Sequence, residues 1–147
     1  MSVALLIATK VSIGVWSRWG AFRVEGRCYA ISAPVRAGAS GRGPFASVAA
    51  RFGRSARSAL FVRLSAQRSG LAPVTLAVGE RRFTLSADAS AAWAPDAATD
   101  RAIVAAMRGA RSMSVSAVSA RGRPFADTYA LGGAATAIDA AAVGCAR

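Results

Sequence analysis

Polar and apolar positions alternate along most of this chain with a period of two, the signature of half-buried β-strands. Val74, Leu76 and Val78 share one face of the run from Pro73 to Val78, and Gly79-Glu80 turns it into Arg81 to Leu85. There Phe83 and Leu85 face inward and Arg82 and Thr84 outward, which makes this pair the clearest predicted hairpin. From Ser112 to Ser119, Met113, Val115 and Ala117 alternate with serines, so one face of that strand is wet. Arg121 to Pro124 then turns the chain into a strand with Phe125, Asp127, Tyr129 and Leu131 on one side. Phe45 to Phe52 and Leu60 to Leu64 read as two further strands. At the start, Val15 to Pro34 holds two β-prone runs separated by Val24, Glu25 and Gly26, the arrangement of a first hairpin.

The period changes twice. Asp96 to Gly109 predicts a helix: Asp96 or Thr99 caps it, Asp100 suits its positive first turn, and Ile103, Val104 and Met107 form its apolar stripe. Ala91 to Pro95 reads as a hinge before it, with Trp93 plugging the sheet's end. The alanine-rich stretch Ala134 to Val143 predicts a short helix that carries Cys145 back to the body of the protein. Arg36 to Gly43 reads as a flexible glycine-rich connection, because a phosphate-cradling loop would continue into Gly-Lys-Ser/Thr and here Pro44 and Phe45 follow. The predicted fold class is mainly β, an antiparallel β-sandwich or open barrel with one internal helix and a short C-terminal helix. Trp16, Trp19, Tyr29, Trp93 and Tyr129 are its expected structural core, since each aromatic side chain buries on the order of 150–250 Å².

The chain has 147 residues, 54% of them hydrophobic, enough for one domain with a genuine core. No apolar run approaches the roughly 20 residues of a bilayer span. Residues 1–13 read as the remnant of an export signal or a disordered lead, with a single β-rich domain over 14–147. Val3 to Ala8 is apolar like a short signal core, but no basic residue precedes it.

Charge adds a direction. Formal net charge is +12, and every cation except Lys10 is an arginine. Arginine in place of lysine fits the codon bias of a GC-rich genome. A surplus of this size also steers polyanions toward the surface. Arg51, Arg54, Arg57 and Arg63, flanked by Phe52 and Phe61, form the densest basic segment. Arginines interleaved with aromatics can clamp single-stranded nucleic acid, and the same spacing suits a solvated edge strand or turn that uses charge to discourage aggregation. The edge strand is the preferred reading.

Histidine is absent, which excludes Ser-His-Asp and Cys-His machinery and histidine-ligated zinc. Two cysteines cannot build a structural zinc site unaided, and no cofactor or metal is expected. Cys28 and Cys145, near opposite ends of the chain, would form a disulfide in an oxidising compartment and stay small buried hydrophobes in a reducing one; the bridge is the expectation adopted.

A tryptophan-rich opening leads into Cys28-Tyr29-Ala30 and Pro34, and Asp127-Thr-Tyr-Ala-Leu-Gly-Gly133 precedes an Ala/Thr-rich helix. With the valine strand and the Gly79 turn between them, the chain resembles the invasion-associated locus B family of proteobacterial envelope proteins over roughly Val15 to Cys145. The resemblance implies a small, exported, β-rich protein, periplasmic or at the cell surface, with a binding or structural role and no catalytic residues to carry over.

Three functions follow. The leading one is a non-enzymatic exported domain that binds a protein or an anionic envelope component through its arginine surface. The second is a cytoplasmic nucleic-acid binder around Arg51 to Arg63, the location if the N-terminus is not a signal. The third is a glycan hydrolase pairing Asp127 with Glu80 or Glu25, which would need carboxylates about 5–5.5 or 6.5–9.5 Å apart.

Overall fold

The computed structural model describes residues 10–41, 43–50 and 59–146. Among these residues ten strands, all paired antiparallel, form one continuous sheet. They are β1 (Val11–Trp16), β2 (Trp19–Val24), β3 (Arg27–Ser32), β4 (Phe45–Ala49), β5 (Leu60–Arg63), β6 (Val74–Val78), β7 (Arg81–Ala87), β8 (Ala91–Trp93), β9 (Ser112–Val118) and β10 (Pro124–Ala130). The spatial order is β1-β2-β3-β4-β5-β8-β7-β6-β9-β10. Helix α1 (Ala97–Gly109) lies between β8 and β9, and α2 (Ala134–Cys145) ends the chain.

The opening stretch makes two tight reversals. Ser17-Arg18 separates β1 from β2, with Ser17 at φ 54°, and Glu25-Gly26 separates β2 from β3 with φ of 51° and 76°. Two positive φ angles in a row are what a two-residue hairpin needs to match strand twist, and glycine at the second position takes one of them without strain. Strand β1 begins at Val11, inside the segment assigned by sequence to a lead; residues 1–9 lie outside the described ones.

The sheet curls so that its ends approach. Strand β7 pairs with β6 over Arg81–Leu85 and with β8 at Ser86 and Ala87. From β2, second at one end of the sheet, Trp19 donates its indole N–H to the Ala130 carbonyl of β10 at 2.8 Å. The chain after β3 forms a single bridge, Arg36 to Thr128, against the free side of β10. No ladder joins β1 to β10, so the barrel stays open.

The core lies inside this curl, where β2, β3, β5, β6 and β9 contribute Ala21, Ala30, Leu60, Val62, Leu76 and Val115, all essentially inaccessible. Helix α1 adds Ile103 and Met107. Its Asp96 cap accepts from the Thr99 amide at 2.7 Å. Helix α2 lays Ala134, Ala137, Ile138 and Ala141 against β1, β2 and β3. Trp19 and Tyr129 are fully buried in this core.

Three positions differ from the sequence-based expectation. Ala91–Trp93, read as a hinge, is a strand between β5 and β7; two of its three residues are alanine, which leaves little alternation to detect. Strand β5, which carries Arg63, is interior, because β8 returns to pair with it; the rest of the basic segment expected as an edge strand or turn, Arg51 to Arg57, lies outside the described residues. The glycine-rich stretch is docked: Gly38 donates to Asp127 at 2.8 Å, and a Cβ there would lie 2.6 Å from the Ala126 carbonyl oxygen. A Cβ on Gly41 would come closer still to the Ser65 carbonyl oxygen. Only a residue without a side chain lets backbone approach backbone this closely.

Candidate binding face

Directly opposed residues in an antiparallel ladder share a face, as do residues two apart on a strand. Those two relations assign one set of side chains to the outside of the curl. Phe22 faces Tyr29, which faces Ala49. In the next row Val15 faces Gly20, then come Ile31, Ser47, Phe61, Trp93 and Ser86 in turn across seven strands. Beyond it Phe45 faces Arg63, which faces Ala91.

Five aromatic side chains therefore share the outer face of β2, β3, β4, β5 and β8. None is fully buried, and Phe61 is 38% exposed. Phe22 and Tyr29 rings lie 5.7 Å apart, and Phe45 and Phe61 rings 5.9 Å apart, both tilted pairs within the favourable range for aromatic contacts. Lys10 places its ammonium 4.3 Å from the Phe22 ring centroid, and Arg63 stands exposed beside Phe45. The outer face of β6, β9 and β10 is different: Thr75, Ala77, Ser114, Ser116 and Thr128 cover it with small, mostly polar groups.

Tyr29 and Trp93, expected in the core, belong to this face. The reason is visible in β3, where Cys28, Ala30 and Ser32 point inward and are buried while Tyr29 and Ile31 point outward. An alanine-rich helix packs close to the sheet and leaves room only for small residues beneath it. Trp16 sits at the margin, half-buried and packed against the core.

Cys28 and Cys145 form the disulfide, with Cα atoms 5.9 Å apart, and fasten the end of α2 to the inner side of β3. Arg51, Arg54 and Arg57 lie outside the described residues. Arg63 is on the outer face.

Five of the seven carboxylates bind groups of the protein itself, two of them in its interior. Asp127 is fully buried; its two oxygens accept from the Gly38 amide, the Ser65 amide and the Ser65 hydroxyl. Asp100, also buried, accepts from the Ala59 and Leu60 amides at 2.8 and 3.1 Å. Asp88 accepts from the Ser90 and Ala91 amides, and the Thr99 amide bond holds the Asp96 carboxyl below its ordinary value. Asp139 pairs with Arg108 at 2.7 Å, which lowers its pKa as well. Glu25 and Glu80 occupy exposed turns. Asp127 is therefore tied to backbone and serine donors, a structural arrangement.

An apolar groove of about 390 Å³ opens between the helices and the ends of β4 and β5, lined by Val48, Ala59, Val104 and Ile138 and bordered by Arg101 and Arg108. Among the described residues, no three His, Cys, Asp or Glu side chains come together to hold a metal ion. Among the same residues, no helix is long and apolar enough to cross a membrane.

Compared with known proteins, the chain matches no family model, no curated protein and no solved structure.

Proposed function

We propose that this protein is a non-enzymatic, exported binding domain of the bacterial envelope that meets an anionic partner through the outer face of β2, β3, β4, β5 and β8. The observation that carries the reading is the Cys28–Cys145 bridge. Protein disulfides form and persist in oxidising compartments and are rare in the cytosol. This one closes 117 residues and anchors the last helix to the sheet, a place where a fold made outside the cytosol gains most from a covalent tie. The resemblance to the invasion-associated locus B family points to the same compartment.

Charge distribution supports the anionic partner. Five of the seven carboxylates accept backbone amides or pair with Arg108. Among the described residues no lysine or arginine is buried. Arg63 and Lys10 bring positive charge onto the aromatic face.

Intact-mass spectrometry of the protein purified from its native host, alkylated without reducing agent, tests this reading. The expected chain lacks its first residues, carries no alkyl group and is two hydrogens lighter than the reduced form. A full-length chain with both thiols alkylated would overturn export and favour a cytoplasmic nucleic-acid-binding domain.

A further inference from the structure

We infer that the anionic partner is an acidic polysaccharide, laid across the strands along the row from Ile31 through Phe61 to Trp93, with Phe22, Tyr29 and Phe45 on either side. The inference rests on the proposed envelope location and specifies its ligand. Its ground is the run of opposed rings on this one face. Five aromatic rings and Ile31 offer flat or apolar contact area, and among the described residues pairing and alternation place Lys10, Arg27 and Arg63 beside them.

A single-stranded nucleic acid carries a phosphate at every residue, and proteins that hold it track the backbone with a cationic groove while the bases stack. Here Phe61 and Trp93 are directly opposed, ring beside ring on neighbouring strands with no cation between them. That pattern suits a polymer with a stackable ring at each unit and a charge at only some of them. A sugar ring meets this description. Its face of C–H groups is weakly positive and lies well on the negative face of an aromatic ring. A uronate or sulfate at intervals would reach Arg63 on one side and Arg27 or Lys10 on the other.

Geometry agrees in scale. Strands lie about 4.8 Å apart, so the path from β2 to β8 crosses four strand spacings, roughly 19 Å. That is a site for a short oligosaccharide, not for a single sugar. The hydroxyl-bearing outer face of β6, β9 and β10 lacks rings, so the ligand's path ends near Trp93 and Ser86.

The test uses the purified, oxidised full chain with three probes: a polygalacturonate oligosaccharide, a neutral galactan oligosaccharide of similar length, and a single-stranded oligothymidylate. Affinity is read from tryptophan fluorescence, and the contact surface from amide shift perturbation in the unaltered protein. The acidic oligosaccharide is expected to bind tightest and to perturb amides of β2, β3, β4, β5 and β8. Phe61→Ala is expected to weaken it on the order of tenfold, the scale of one lost stacking contact. Arg63→Gln is expected to weaken it and to flatten its salt dependence. Circular dichroism and thermal melting establish that each variant is folded; if Phe61→Ala is not, Tyr29→Ala at the margin of the face replaces it. Tighter binding of oligothymidylate, equal binding of the neutral oligosaccharide, or amide perturbations confined to other strands would each overturn the inference. None of these outcomes alters the disulfide or the mature mass, so failure here is separable from failure of the envelope assignment.

Discussion

Asp127 on β10 and Ser65, just beyond β5, are joined twice. The Ser65 amide donates to Oδ2 at 2.9 Å and the Ser65 hydroxyl to Oδ1 at 2.5 Å. Ser65 Oγ in turn accepts from the Ala39 amide at 3.1 Å, and Asp127 Oδ1 accepts from the Gly38 amide. One buried carboxylate thus holds together two strands that are far apart in the sheet order and the glycine-rich segment that crosses between them. A buried charge is tolerated only with such saturation by donors.

Asp127→Asn is expected to destabilise the protein by about 3 kcal/mol, because the amide nitrogen turns a donor toward Ser65 or Gly38 and removes the charge those donors were arranged around. Urea denaturation at neutral pH measures it. Glu80→Gln, on the exposed turn between β6 and β7, is the control expected to leave the midpoint unchanged.

Gly38→Ala and Gly41→Ala are expected to cost about 1–3 kcal/mol each, the usual range for forcing atoms into packed space. The new methyl groups would meet the Ala126 backbone and the Ser65 carbonyl. Gly70→Ala, with nothing within 4 Å of the added carbon, is expected to be tolerated. Thermal melting of the three variants separates the docked stretch from an ordinary turn.

Tyr129 is fully buried and its hydroxyl has no hydrogen-bond partner among the described residues. Burial, with the Asp127 carboxylate nearby, raises its pKa above the ordinary value of 10.0. A raised folded-state pKa contributes stability below the unfolded value that is lost as pH climbs past it, so the protein is expected to weaken above about pH 10. Tyr129→Phe removes an unsatisfied hydroxyl at almost constant shape. It is expected to hold or raise stability at pH 7 and to flatten the alkaline limb, measured by denaturation at pH 7 and pH 11.

Asp96 gives the opposite sign. Its lowered pKa makes the cap fully effective above the ordinary carboxylate value of 3.8 and loses it as pH falls through the lower folded-state value. Asp96→Ala is expected to lower the melting temperature at pH 7, and Asp96→Asn to restore most of it, since asparagine caps as well. Melting of the asparagine variant should also depend less on pH below 4.

Removing the disulfide, by Cys28→Ala with Cys145→Ala, is expected to cost up to about 5 kcal/mol in the chain-entropy account of a loop this long. Denaturation of the oxidised protein against the double variant measures it.

Much of this architecture was legible in the alternation of residues. Val74 to Leu85 read as a hairpin and is one; Asp96 to Gly109 read as a helix, and Ala97–Gly109 is one. The absence of histidine restricted the chemistry before any coordinate was known. Period-two alternation, however, says that two faces differ and not which one is inside. In β3, Cys28-Tyr-Ala-Ile-Ser32 reads equally well with Tyr29 in the core or outside it. That choice was made by α2, whose alanines pack closely on the sheet and demand small residues opposite them. Only the tertiary structure therefore turned Tyr29, Phe61 and Trp93 outward together. It also brought β8 beside β5, and so made an interior strand of the segment carrying Arg63. Likewise Asp127 read as one position on a strand, because donors 62 and 89 residues away leave no mark on its local sequence.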